Sequence, residues 1–123
     1  MSKQRQHILV INPNSDDMVT ENMAQELKRF NFSEGPRIEC VTLSDGPLGI
    51  ESQADIESVT IPLTKMVSKK KEVDAFVIAC YSDPGLHVCR EVSEKPVFGI
   101  QECGILTAMS RGDRFGVIAL QES

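Results

Sequence analysis

The sequence has little of what would announce a membrane, a nucleic acid or a metal. No apolar run nears the roughly 20 residues that a spanning helix needs; the first, Ile8-Leu9-Val10-Ile11, stops at Asn12-Pro13. Met1 to Gln6 is polar, so no export signal is expected there. Positive charge is scarce. Thirteen Lys and Arg stand against 18 Asp and Glu, giving a formal net charge of -5 and a pI near 5.0. No basic field exists to neutralise phosphates, which excludes nonspecific nucleic-acid binding. The one basic run, Lys69-Lys70-Lys71, reads as the solvated end of a helix favoured by the helix dipole. The four cysteines form no CxxC pair, so free thiols in a cytoplasmic protein are expected.

Other absences narrow the chemistry. No GxGxxG occurs, nor GxxxxGK followed by Ser or Thr, so a nucleotide site has no support. Ser82 lacks the flanking glycines of a nucleophile elbow. His87 and Cys89 fall short of the paired clusters of zinc sites, and His7 has no visible partner. Neither a metal nor a cofactor is expected.

What is present is an alternation of two periodicities. The continuous run in His7 to Asn12 predicts a strand covered on both faces. After Asn12-Pro13-Asn14, Ser15 reads as the N-cap of a helix over about 16–30, with Val19, Met23, Leu27 and Phe30 on one stripe. A second strand covers Arg37 to Leu43, followed by the turn-rich Ser44 to Gly49. A second helix spans Ser52 to Ser68, with Pro62 expected to kink or divide it. The third strand is Val73 to Cys80. Asp83 as N-cap and Pro84 at the first helical position then predict a short helix carrying Leu86, Cys89 and Val92. A fourth strand over Pro96 to Ile100 and a helix over Glu102 to Ser110 follow. A last strand pattern runs from Arg114 to Leu120. The order predicts an α/β fold: a four-stranded parallel sheet with helices on both faces. The domain reading is one lobe over 1–112, with 113–123 opening a second.

Ligands in such sheets sit beyond the carboxyl ends of the strands. Asn12 to Ser15 and Cys80 to Asp83 both fall there. Cys80 closes a buried strand ahead of a predicted helix N-terminus, surroundings that favour a thiolate. A thiolate can take a proton from carbon, and a thiol can return one. From position alone a small buried hydrophobe fits Cys80 as well. Cys40 and Cys89 read as core, and Cys103 has no nearby partner in sequence. Asn12 and Asn14 fit turn residues, or amides that hold a carboxylate or cyclic imide.

Two segments carry a family resemblance. Ile8-Leu9-Val10-Ile11-Asn12-Pro13-Asn14-Ser15 resembles the opening of hydantoin and allantoin racemases, members of the aspartate/glutamate/hydantoin racemase superfamily. Ile78-Ala79-Cys80-Tyr81-Ser82-Asp83-Pro84-Gly85-Leu86 resembles their first catalytic-cysteine motif. Gly49-Ile50-Glu51-Ser52 and Pro96-Val97-Phe98-Gly99-Ile100 fit the connecting segments. The resemblance implies two α/β lobes with one thiol from each, facing opposite sides of a substrate α-carbon, without a cofactor. It makes Cys80 the first-lobe thiol and places Asn12, Asn14, Ser15, Tyr81 and Ser82 at the substrate. Tyr81-Ser82-Asp83-Pro84 resembles the hydantoin/allantoin branch more than the amino-acid racemases, whose cysteine precedes Asn-Thr.

Family members are about twice as long, and their second thiol lies in the second lobe. The chain is therefore expected to be a first lobe, inactive by itself. Its expected partners are a small-molecule substrate and either a second lobe or a second copy. Competing readings are an arylmalonate-type decarboxylase, a maleate-type isomerase, an amino-acid racemase, and a non-catalytic α/β binding module. A receiver-type module would need an acidic cluster after strand one and an Asp after strand three. Asn12-Pro13-Asn14 and Cys80 stand there instead.

Overall fold

The computed structural model describes residues 5–118. It contains β1 (His7–Asn12), α1 (Asp17–Leu27), β2 (Arg37–Thr42), α2 (Gln53–Lys69), β3 (Ala75–Ile78), α3 (Leu86–Val92), β4 (Val97–Gly99) and α4 (Ile100–Arg111). A 3-10 turn at Lys28–Phe30 extends α1. All strand pairs are parallel and the sheet order is β2-β1-β3-β4. The chain lays β2 on one side of β1 and then β3 on the other, so the winding reverses between β1 and β3. In open α/β sheets that reversal opens a crevice at the strands' carboxyl ends.

Strand alternation sorts the side chains between two faces. Leu9, Ile11, Phe76, Ile78 and Val97 face one way and are buried against Val59, Leu63 and Val67 of α2 and Leu86 and Cys89 of α3. The other face is more thinly covered. There α1 lies over β1 and β2, and Thr20 reaches Thr42 at 2.6 Å. Neither α1 nor α4 contributes a fully buried residue, and Phe98 stays exposed between buried Val97 and Gly99. Val19, Met23 and Leu27 are half-buried, as their spacing suggests, while Phe30 is exposed.

Several local expectations are corrected. Pro62 does not divide α2, which runs unbroken from Gln53 to Lys69. An interior proline costs about 3 kcal/mol, but burying each of Val59, Leu63 and Val67 returns roughly 1.5–3 kcal/mol. Ser52 and Asp55 form a reciprocal capping box at its start. These bonds, led by the Glu51 and Ser52 contacts, hold the Asp55 carboxyl below its ordinary range. Asp16, not Ser15, caps α1: its Oδ1 accepts from the Met18 N–H at 3.0 Å, while the Ser15 N–H goes to the Pro47 carbonyl at 2.8 Å. His7 does find partners. It is buried at the amino end of the sheet, with Nε2 2.8 Å from Glu39 and its backbone N–H on Asp74.

The strand expected at Arg114 to Leu120 is not formed over its described part. Residues 114–118 join no sheet and are exposed, and residues 119–123 lie outside the described residues. A strand exists through its ladder, and no described strand offers that segment a partner.

Candidate active site

The crevice between β1 and β3 is built from short-range bonds. Ala79 extends the ladder by donating to the Ile11 carbonyl at 2.9 Å, so Cys80 emerges beside Asn12 and Pro13. Asn12 is almost wholly buried. Its amide nitrogen donates to Asn14 Oδ1 (2.7 Å), the Asp16 carbonyl (3.2 Å) and Thr20 Oγ1 (3.1 Å), while its Oδ1 accepts from the Asn14 N–H (3.2 Å). Every polar group of Asn12 is thus spent on shaping the turn and binding it to α1. Asn14 Oδ1 also accepts from the Asp16 N–H at 2.9 Å. Asn14 and Ser15 are half-buried at the crevice.

A third segment, absent from the expected site, closes against this turn. Leu43 donates to the Asn12 carbonyl at 2.9 Å, and Gly46 to the Leu43 carbonyl at 2.9 Å. A Cβ on Gly46 would overlap the Pro13 carbonyl oxygen and crowd that of Leu43. Both obstacles are backbone and cannot swing aside. Gly46→Ala is expected to cost about 1–3 kcal/mol by overpacking, read as a lower urea midpoint. An unchanged midpoint would show that the loop is free of the turn. The Gly46-Pro47 pair was the sequence signal, legible as a turn but not as a contact.

On the β3 side Cys80 is half-buried, and its Sγ lies 3.4 Å from Ser82 Oγ. The Asp83 N–H closes the turn on the Cys80 carbonyl at 2.9 Å. Tyr81 and Ser82 are exposed at its tip. Asp83 does not cap the helix that follows it. That helix begins at Leu86 with Gly85, in the left-handed region, as its N-cap. The Asp83 carboxylate instead accepts from the Gln101 and Glu102 N–H groups of α4 at 3.0 and 2.9 Å. The helix expected to start at Pro84 therefore starts two residues later, at Leu86.

The other cysteines are placed differently. Burial pushes the Cys40 thiol up, aided by the Glu39 charge; burial also pushes up the Cys89 thiol, against a smaller opposing bond from Thr64. Both are thereby held as thiols, unsuited to act as bases. Cys103 is exposed on α4. His87 is exposed while Cys89 faces the core, so the two share no site. Among the described residues no group of three or more His, Cys, Asp or Glu is arranged to hold a metal ion. No helix among them is long and apolar enough to cross a membrane. Arg90 clamps Glu102 with two bonds of 3.1 and 2.6 Å, and donates to the Val97 carbonyl at 2.9 Å. That clamp lowers the Glu102 carboxyl from its ordinary value.

In open α/β sheets such a switch point is where ligands are generally bound. Comparison with known proteins makes the class specific. A family model described as Asp/Glu/Hydantoin racemase matches residues 8–123, and the chain belongs to that family. It is 41% identical over 116 residues to a hydantoin racemase from a Pseudomonas species, covering 92% of this chain and 46% of that protein. It is 36% identical over 115 residues to one from Rhizobium meliloti, covering 91% and 47%. The solved allantoin racemase of Klebsiella pneumoniae superposes with a TM-score of 0.77 at 32% identity, over 85% of this chain and 43% of that one. The chain spans about half the length of the curated relatives it matches.

Proposed function

We propose that this chain supplies one of two thiols in a cofactor-independent racemase acting on a hydantoin-like or allantoin-like ring. One observation carries the reading. Cys80 stands at the carboxyl end of β3, at the switch point, half-buried beside the Asn12–Ser15 turn and within 3.4 Å of Ser82 Oγ. The names of the relatives support the reaction and the ring.

In this mechanism the Cys80 thiolate removes the α-proton: the C–H bond breaks and an S–H bond forms. The electron pair passes into the adjacent ring carbonyl as an enolate, which hydrogen-bond donors stabilise. A second thiol on the far face then returns a proton to carbon. No electron is gained or lost, so the chemistry needs no redox partner. Asn14, Ser15, Tyr81 and Ser82 offer the polar groups that would hold the ring. Asn12, fully engaged, orients the turn that presents them. The second thiol belongs to a second lobe of the kind for which the relatives' additional length has room. Free thiols suit the reducing cytoplasm.

The test is a racemisation assay in deuterium oxide with a 5-substituted hydantoin and with allantoin. The chain is used by itself and mixed with the second half of the Pseudomonas relative. Inversion with deuterium incorporation is expected only in the mixture. Full racemisation by the 123-residue chain alone would overturn the two-lobe reading. Absence of exchange in the mixture, or release of carbon dioxide from an arylmalonate, would overturn the racemase reading.

A further inference from the structure

Asp83 is the one residue other than glycine with a positive φ among the described residues, at 48°. A left-handed L-residue costs roughly 1–2 kcal/mol, so something must hold it there. Its two ends do different work. The backbone N–H closes the Cys80 turn, and the backbone carbonyl accepts from the Leu86 N–H at 3.3 Å. The carboxylate takes the Gln101 and Glu102 N–H groups, 18 and 19 residues further on. Those are the second and third residues of α4, whose donors an N-cap side chain ordinarily satisfies. The N-cap of α4 is Gly99, which has no side chain to offer.

Gly99 also makes the arrangement possible. Its backbone lies at φ -106° and ψ 139°, open to any residue. Yet a Cβ there would overlap the Asp83 carboxyl group. The glycine is required for space, not for conformation. The Cys80 turn is therefore bolted through the Asp83 carboxylate to the start of α4, across the end of β4, while only the Asp83 backbone carbonyl meets the short helix that follows it.

We propose that Asp83 is a positioning residue. Its carboxylate anchor on α4 fixes the turn that presents the Cys80 thiol and the Ser82 hydroxyl, and Gly99 is the cavity that admits it. The inference rests on Cys80 being the reacting thiol, but its test does not require turnover.

The experiment is alkylation of the folded chain by iodoacetamide, resolved by peptide mass. It compares the native chain with Asp83→Asn, Asp83→Gly and Gly99→Ala. Asp83→Gly keeps the left-handed backbone and removes the anchor. Gly99→Ala keeps the aspartate and displaces it. Both are expected to raise the Cys80 alkylation rate severalfold, by freeing a half-buried thiol, while Cys40 is unchanged. Asp83→Asn, which retains one acceptor oxygen and the native shape, is expected to fall between these and the native chain. Hydrogen exchange at Gln101 and Glu102 should quicken in parallel. If those amides lose protection while the Cys80 rate holds in both Asp83→Gly and Asp83→Asn, Asp83 is only a helix cap and the proposal fails. Failure of the reading of Cys80 as the reacting thiol would instead appear as native exchange in the two-lobe mixture carrying Cys80→Ser.

Discussion

In the two-lobe mixture, Cys80→Ser is expected to lower α-proton exchange by roughly 10²–10⁴-fold, the range for loss of a positioned acid or base. The hydroxyl has nearly the shape of the thiol but is a far weaker acid, so no base forms near neutral pH. The fold should not suffer, because Cys80 is only half-buried and its side-chain hydrogen bond to Ser82 is long. Cys103→Ser is the matched control. That thiol is exposed on α4 and is assigned no part in the proton transfer, so exchange should persist. Following deuterium at the α-carbon by mass, with circular dichroism as the fold control, separates the outcomes. Native exchange rates in the Cys80→Ser protein would remove Cys80 from the mechanism.

The largest stability effect is expected from Phe76→Ala. Phe76 lies within β3, in register with Leu9 on one side and Val97 on the other, and is 1% exposed. It belongs to the apolar cluster between the sheet and α2 and α3. Truncating a buried phenylalanine costs about 3–5 kcal/mol in lost transfer energy and cavity formation. Whole domains are stable by only about 5–15 kcal/mol, so the folded baseline in urea should shrink severely or vanish. Val77, its neighbour on the thinly covered face, is half-buried, and Val77→Ala should cost distinctly less. Equal losses at the two positions would contradict a core concentrated on one face.

Much of the lobe was legible because its elements are encoded locally. The apolar run of β1, the stripe Val19-Met23-Leu27 of α1 and the position of Cys80 at a strand end follow from spacing alone. Where local reading failed, a distant partner had outbid a near one. Ser15 looked like a cap, but the chain is tied there to Pro47 and turns into the helix one residue later, at Asp16. Pro62 looked like a break, but buried side chains on both sides of it keep α2 whole. Asp83 and Pro84 looked like a helix start, but the carboxylate is committed to α4.

The sequence by itself determined the alternation of strands and helices, and with it a parallel sheet whose carboxyl edge carries Asn12 to Ser15 and Cys80. It also determined the family, through the two segments that bear those residues. Only the tertiary structure decided the strand order, which puts the switch point at the carboxyl ends of β1 and β3. It alone turned Asn12 inward to hold the turn, brought Gly46 against Pro13, and joined Asp83 to α4 through the space left by Gly99. The reason is physical. Periodicity and caps are properties of neighbours along the chain, whereas a buried amide or carboxylate takes whichever donors and acceptors the packed elements bring within reach, and the chain order does not specify those.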